Sequence, residues 1–414
     1  MGRGTSYALK YYKPLPKLEE VKAARKGLEG IVTKTELIYS SIFSMEYGNE
    51  IYIKPENLQI TGSYKIRGAY NKISKLNQRQ KSKGLIASSA GNHAQGVAYS
   101  AQKLGIEATI VMPKTTPLIK VEATKKYGAK VVRAGDTYDE AYSEALRLEK
   151  KMDYTFIHPF DDLDIIAGQG SIGIEILEEL ENIDIIIAPI GGGGLISGIA
   201  VAAKSIKPSI KVIGVEPEGA NAMKLSVDKN DLVYLDKVDT IADGVAVKKP
   251  GDITFSIIRD YVDEIVTVSD YDLMEALLVF LERHKLVAEP AGVLSLAALK
   301  KIEERNKNVA CVVSGGNIDV VTMSSLINRG LVSRGRIFCF SVELPDTPGQ
   351  LLKVSEILAS LGANVIKLDH NQFKSVDRFM NVELEVTVET NGHDHINEII
   401  NLLDKYGYRI NKVY

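Results

Sequence analysis

As far as residue 331, short apolar runs alternate with stretches whose apolar residues recur at helical spacing. Runs at 85–88, 108–112, 130–133, 183–190, 211–215 and 310–313 read as strands. Residues 92–104, 117–127 and 139–151 read as helices between them. Val- and Ile-rich strands alternating with helices predict parallel sheets covered on both faces, an α/β region.

The pattern changes at Ser333-Arg334-Gly335-Arg336, a polar stretch that reads as a linker. Beyond it, 337–344 is a strand and Pro345-Asp346-Thr347-Pro348-Gly349 is turn chemistry. Leu351, Val354, Leu358 and Leu361 mark a helix, and 364–372 a second strand. In the third strand Val382, Leu384, Val386 and Val388 alternate with Glu383, Glu385 and Thr387. Ile396, Ile399, Ile400 and Leu403 mark a second helix, and 408–413 closes as a strand. The order βαββαβ is ferredoxin-like. The alternating third strand predicts one packed face, with the other wet or paired with another subunit.

Hydrophobic residues make up 45% and charged residues 25% of 414, which supports two or three packed domains and excludes a disordered chain. Lys and Arg number 51 against 53 Asp and Glu, so charge gives no footprint for nucleic acid or an anionic membrane. With neither a leader-like apolar run nor a bilayer-length segment in the sequence, the expectation is a cytoplasmic protein. Cys311 and Cys339 lie in apolar runs and make either one disulfide or two buried thiols, the thiols being favoured in a reducing compartment. There is no H-E-x-x-H and no zinc knuckle, so no metal is expected, and His393-x-His395 reads as solvated surface.

Four segments hold residue types that can do chemistry. In the first, an apolar strand runs into Gly191-Gly192-Gly193-Gly194 and then Leu195-Ile196-Ser197-Gly198. Consecutive glycines turn main-chain N–H groups toward one point, and a helix N-terminus adds partial positive charge, which makes a phosphate cradle. The dinucleotide pattern fails because Leu195 or Ser197 stands where a glycine is needed, and the P-loop fails because no Lys-Ser/Thr follows Gly198. The second segment is Thr61-Gly62-Ser63-Tyr64-Lys65-Ile66-Arg67-Gly68. Alone, Lys65 reads as a solvated lysine. A nucleophilic amine needs burial, or a neighbouring cation such as Arg67, to lower its proton affinity. The third runs from Ser88 to Gly96 and opens a helix. Its plain reading is an N-cap at Asn92 closed by Gln95 in a capping box. Its functional reading uses the same N–H groups and hydroxyls to hold a substrate carboxylate. The fourth, Cys311 to Asn317, puts the Ser314 hydroxyl at the carboxyl end of a buried strand, where open α/β sheets bind ligands.

Together these segments are more specific than any one. Ser63-x-Lys65-x-Arg67-Gly68, Ser89-Ala90-Gly91-Asn92-His93-Ala94-Gln95-Gly96, the glycine run to Leu195 and Ser314-Gly315-Gly316-Asn317 stand in the order found in pyridoxal-phosphate enzymes of fold type II. The chain resembles the threonine dehydratases (threonine ammonia-lyases). His158-Pro159-Phe160-Asp161-Asp162, Gly168-Gln169-Gly170-Ser171 and Glu289-Pro290-Ala291-Gly292 add to the resemblance, which covers about residues 5–330. The tail resembles an ACT domain, an amino-acid-sensing module, through Leu344-Pro345-Asp346-x-Pro348-Gly349-x-Leu351.

The resemblance implies a tryptophan-synthase-β-like pair of open sheets over residues 1–332, with a small subdomain at about 53–152 inserted in a larger one, and an ACT domain over 336–414. It implies pyridoxal 5'-phosphate as cofactor, carried by Lys65, which also acts as base on the substrate Cα proton. Gly191, Gly192, Gly193, Gly194 and Leu195 would cradle the phosphate. Asn92 would bond the ring hydroxyl, and Ser314 would face the ring nitrogen. Ser89, Asn92 and His93 would hold the carboxylate of an amino-acid substrate. Asp346, Gly349 and Asn364 would bind an amino-acid effector, with isoleucine the candidate. A homo-oligomer, dimer or tetramer, is expected.

Racemase relatives carry a serine where this chain has Ala90, which disfavours racemisation. They also hold a cation near the counterpart of Glu216, but Ala222 stands where a second acidic ligand is needed. Tyr64 replaces the usual Phe before the lysine. The nearest alternative is an L-serine dehydratase or a broad hydroxy-amino-acid lyase. A non-enzymatic amino-acid sensor would need a broken site, yet Lys65, Asn92, the glycine run and Ser314 are all present.

Overall fold

The computed structural model describes residues 15–371 and 381–414. Residues 1–14 of the stretch read for a leader, and Gln372 of the expected second tail strand, lie outside the described residues. The chain divides into two compact units, Met1–Asp319 and Val320–Tyr414. The helix Val320–Ser333 therefore groups with the tail, so the division falls one helix before the expected linker.

The first unit holds two sheets. The larger has the order Ile38–Tyr39, Glu50–Pro55, Asn308–Val313, Ile185–Pro189, Lys211–Pro217, Glu264–Val268. Only its first pair is antiparallel. The smaller runs Lys130–Arg133, Ala108–Met112, Leu85–Ser88, Thr155–Phe156, parallel throughout. Residue 53 thus lies in a strand of the large sheet, and the small sheet closes just beyond residue 152. Ile185, Ile186, Ile187, Ala310 and Val312 are buried with Ile172, Ile176, Ile196 and Ile199 from the helices Leu163–Glu179 and Gly194–Ile206. A sheet covered on both faces keeps its strands apolar throughout, which is why these runs read as continuous rather than alternating. Parallel strands also end on one side, so the segments after Pro189 and Val313 start from the same edge of the large sheet.

A buried ionic network ties the sheet to two helices. The Arg67 guanidinium, on the helix Lys65–Ser74, donates twice to the Glu56 carboxylate and twice to that of Glu175, each at 2.8 Å. It also donates to Ser171 Oγ at 3.1 Å. Lys54 Nζ lies 2.9 Å from Glu175. All four charged groups are buried.

The tail sheet is antiparallel in the order Asn364–Asn371, Asn381–Glu389, Ile337–Pro345, Ile410–Lys412. The helices Gln350–Ser360 and His393–Lys405 bury Val354, Leu358, Ile399 and Leu403 against Phe338, Phe340, Leu384 and Val386. This is the ferredoxin-like βαββαβ layout. Val382, Leu384, Val386 and Val388 are buried while Glu383 and Glu385 are half-buried, as the alternation requires, but Thr387, expected with the glutamates, is buried and donates to Cys339 Sγ at 3.4 Å. Cys311 and Cys339 are buried free thiols. No helix among the described residues is long and apolar enough to cross a membrane.

Arg67→Met should destabilise the protein by about 3–5 kcal/mol, because it strands the Glu56 carboxylate in the interior and takes one of the cations from Glu175. Denaturant unfolding checks this, and an unchanged midpoint with unchanged slope would refute it.

Candidate active site

The loop before Lys65 is fastened to the loop after Val313. Ser63 and Gly315 form an antiparallel bridge. Tyr64 N donates to Ser314 O at 3.1 Å, and Gly316 N to Gly62 O at 2.9 Å. Lys65 then opens the helix Lys65–Ser74. Its Nζ donates to Pro159 O at 3.0 Å and lies 5.3 Å from the centre of the Tyr64 ring. Desolvation lowers the pKa of this amine from 10.5 to about 8, against an opposing pull from Glu289. Arg67 takes no part in that shift, since two carboxylates neutralise it. Burial, rather than the neighbouring cation, is what activates the amine.

Pro159 also links the amine to the glycine run. The next residue, Phe160, lies so close to Gly192 that a Cβ there would come within 2.3 Å of its ring. Gly193 has φ +94° and caps the helix Gly194–Ile206. A side chain at 193 would be strained and would meet Met223, Thr254 and Ile258 at 2.8 Å. Thr254 Oγ1 donates to Gly192 O at 2.6 Å and fixes the turn. The first N–H groups of the helix, at Gly194, Leu195 and Ile196, are those that helical bonding leaves free.

The third segment departs from the capping-box reading. Gly91 is the N-cap, and Asn92 opens the helix Asn92–Leu104. Asn92 Nδ2 donates to Glu289 Oε1 at 2.6 Å, and Asn92 Oδ1 accepts from Asn317 Nδ2 at 2.7 Å. Ser89 Oγ accepts from Gly91 N at 3.2 Å. The His93 ring is buried, and desolvation drops its pKa from 6.5 to about 3. A neutral ring must donate Nε2–H to Ile157 O, 3.0 Å away. Its side chain therefore has no proton for a carboxylate, and what His93 offers is its main-chain N–H. Ser314 is buried, with Oγ 3.4 Å from Ala291 O.

Sequence reasoning gave no role to Glu289, Asn317 or Pro159. Glu289 is buried, and burial raises its pKa from 4.5 to about 7, helped by Asp243 and opposed by the Asn92 hydrogen bond. A carboxylate between Val287-Ala288 and Pro290-Ala291 was the available signal. Glu216 is also buried, but it accepts from Met223 N and Lys224 N at 3.0 and 2.8 Å and so caps the helix Ala222–Lys229. In the tail, Asp346 and Gly349 line a cleft of about 300 Å³ with His370 and Val382. Asn364 is not among its lining residues.

The donor set suits pyridoxal phosphate. It offers a desolvated amine for the aldehyde, a cradle of N–H groups where a Cβ would collide, and a neutral hydroxyl at Ser314. Ser63 Oγ and Ser88 Oγ are buried without a hydrogen-bond partner among the described residues, as groups awaiting a ligand would be. Residues 28–315 match the pyridoxal-phosphate dependent enzyme family. The chain is 46% identical to an L-threonine ammonia-lyase of Thermotoga maritima, over 95% of this chain and 98% of that protein. It is similar in structure to the processed form of threonine deaminase isoform 2 of Solanum lycopersicum, with TM-score 0.73 and 37% identity over 79% of this chain and 89% of that one. It is equally similar to maize serine racemase, with TM-score 0.73 and 34% identity over 78% of this chain and all of that one.

Glu289→Gln should stabilise the cofactor-free protein above pH 7, by on the order of 3 kcal/mol. The folded carboxyl binds its proton more tightly than the unfolded one, so it costs stability as pH rises from 4.5 to about 7. Glutamine has no such cost, and the gain should vanish below pH 4.5. Unfolding midpoints across that range check the sign, and a gain independent of pH would refute it.

Proposed function

The chain belongs to the pyridoxal-phosphate-dependent enzymes, and from that premise we propose that it is an L-threonine ammonia-lyase. It eliminates the β-hydroxyl of L-threonine and releases 2-oxobutanoate and ammonia. L-Serine, going to pyruvate, is the expected second substrate, because one methyl gives about 1–3 kcal/mol of discrimination. The observation that carries this reading is the desolvated amine of Lys65, joined through Pro159 and Phe160 to the glycine turn.

Pyridoxal phosphate, when bound, supplies a sink for the electron pair left at the substrate Cα. Lys65 Nζ would carry the cofactor and take the Cα proton, and a pKa of about 8 leaves part of it neutral at working pH. The N–H groups of Gly191 to Leu195 would hold the phosphate at a helix N-terminus. Asn92 Nδ2 has one N–H beyond the one given to Glu289, and would offer it to the ring oxygen. Ser89 Oγ and the main-chain N–H groups of Asn92 and His93 would take the substrate carboxylate. Ser314 would face the ring nitrogen. A hydroxyl stabilises a protonated nitrogen less than a carboxylate would, which favours quick loss of the β-hydroxyl. Ala90 has no acid to reprotonate the opposite face, which favours elimination over racemisation.

The tail reading rests on the cleft that holds Asp346 and Gly349, whose loop runs into the helix Gln350–Ser360. It would bind an amino acid as an allosteric effector, with isoleucine the first candidate. Exposed Val365, Ile366 and Leu368 on the strand Asn364–Asn371 support pairing with a second copy, and thus a homo-oligomer. Two buried free thiols favour a reducing, cytoplasmic setting.

Lys65→Ala should lower 2-oxo acid formation by at least about 10²–10⁴-fold and abolish the visible absorbance of the lysine-linked cofactor. Retained colour and turnover would reject the assignment. Steady-state kinetics of the intact chain should show L-threonine and L-serine both turned over. Isoleucine or valine should shift half-saturation by about 5-fold or more, and Gly349→Val should blunt that response. Kinetics unmoved by any amino acid would remove the effector reading and leave the lyase reading standing.

A further inference from the structure

Asn317, Asn92 and Glu289 form a chain of hydrogen bonds whose direction is set at one end. Asn317 Nδ2 donates to the main-chain carbonyl of Thr61 at 2.7 Å. A carbonyl accepts and cannot donate, so this end admits one orientation of the Asn317 amide. The same Nδ2 reaches Asn92 Oδ1 at 2.7 Å. Asn92 must then present its oxygen to Asn317 and its nitrogen to the other side. There Glu289 Oε1 receives Asn92 Nδ2 at 2.6 Å. Close packing holds the chain in place. A Cβ on Gly62 would lie 2.3 Å from Asn317 Oδ1, and one on Gly315 would lie 2.4 Å from Glu289 Oε1.

A primary amide is nearly symmetric in shape, and its two ends differ in charge. Left alone, Asn92 could turn its oxygen or its nitrogen toward a ligand. With a donor at its oxygen and an acceptor at its nitrogen, one of the two orientations is excluded from both sides. We propose that Asn317 and Glu289 are positioning residues that lock the Asn92 amide so that Nδ2, and never Oδ1, is offered to the ring oxygen of the cofactor. This rests on the reading above that Asn92 meets the cofactor. The contacts with Thr61 and Gly62 add a second consequence: the loop that leads into Lys65 itself dictates the polarity of Asn92, so the amine and the ring-oxygen donor are set by one stretch of chain.

The test is a swap that keeps size and charge. Asn317→Asp places an acceptor where Asn92 needs a donor, and Asn92 then faces carboxylates on both sides. Adding Glu289→Gln lets the amide invert: Nδ2 donates to Asp at 317, and Oδ1 accepts from Gln at 289. The double variant has the net charge of the parent and reverses both bonds to Asn92, while the bond to the Thr61 carbonyl is lost in it and in Asn317→Asp alike. Two readouts are taken: unfolding stability, and equilibrium titration of each cofactor-free protein with pyridoxal phosphate. Asn317→Asp alone should lose both stability and affinity. Glu289→Gln should stabilise Asn317→Asp by more than it stabilises the parent, yet the double variant should bind the cofactor about 10- to 100-fold more weakly than the parent, the size of a charge-assisted hydrogen bond lost. If affinity returns together with stability, the two residues are structural and the proposal fails. Asn92→Ala separates the proposal from the reading beneath it. If that variant binds the cofactor like the parent, Asn92 does not meet it and the site reading is at fault. If it binds weakly while the double variant binds normally, the site reading stands and the polarity lock is wrong.

Discussion

The Arg67 network is the constraint on which the catalytic unit depends. One guanidinium joins Glu56, just after an edge-side strand of the large sheet, to Glu175 on the helix Leu163–Glu179, and sits on the helix that Lys65 opens. Its planar fork fits two carboxylates at once, which a lysine could not do. Two residues before it in sequence, the lysine is thereby held at one place and angle. A flexible lysine would carry its charge into water, whereas a helix anchored this way keeps the amine against Pro159 and the Tyr64 ring. Desolvation of the amine is thus a consequence of where a different residue, Arg67, is buried.

The same logic runs through the rest of the site. Lys65, His93 and Glu289 are each held away from their ordinary ionisation by desolvation. Such groups oppose folding, and they persist because the surrounding sheet and helices bury far more apolar surface than these few side chains disturb. The hydrogen-bond partners are nearly all main-chain atoms or rigid short side chains: Pro159 O for the lysine, Ile157 O for the histidine, Asn92 for the glutamate. A site of this kind changes little when a ligand arrives, because its dipoles are already oriented.

Much of this was legible in the sequence, for identifiable reasons. Strands such as Leu85–Ser88, Ala108–Met112 and Lys130–Arg133 declare themselves by local composition, and the structure ends them at the same residues. The glycine turn was legible because four glycines between a strand and a helix have few other uses. The capping-box alternative for Asn92 failed, because a capping box is a local pattern and its competitor was not local. Glu289 is 197 residues away and Asn317 is 225, and both bind the amide that the box would have used. Of the two ways to activate Lys65, the choice of burial over Arg67 was hidden for the same reason, since the carboxylates that silence the Arg67 charge come from separate elements. Local pattern located the segments, and long-range packing decided what each side chain does there.

The tail shows the opposite balance. Its alternation Val382, Leu384, Val386, Val388 specified a packed face with no knowledge of a partner, and those residues are buried. Function there is harder to read, because a ferredoxin-like sheet serves many purposes. What narrows it is the turn before the helix Gln350–Ser360. Gly349 has φ +93° and a Cβ at that position would meet nothing within 4 Å. Packing therefore does not demand a glycine at this point. The demand is from the backbone, which takes a left-handed turn at Gly349 to open the helix. The cleft beside that turn is lined by Asp346, Gln350 and His370, polar groups of the kind the proposed effector site needs.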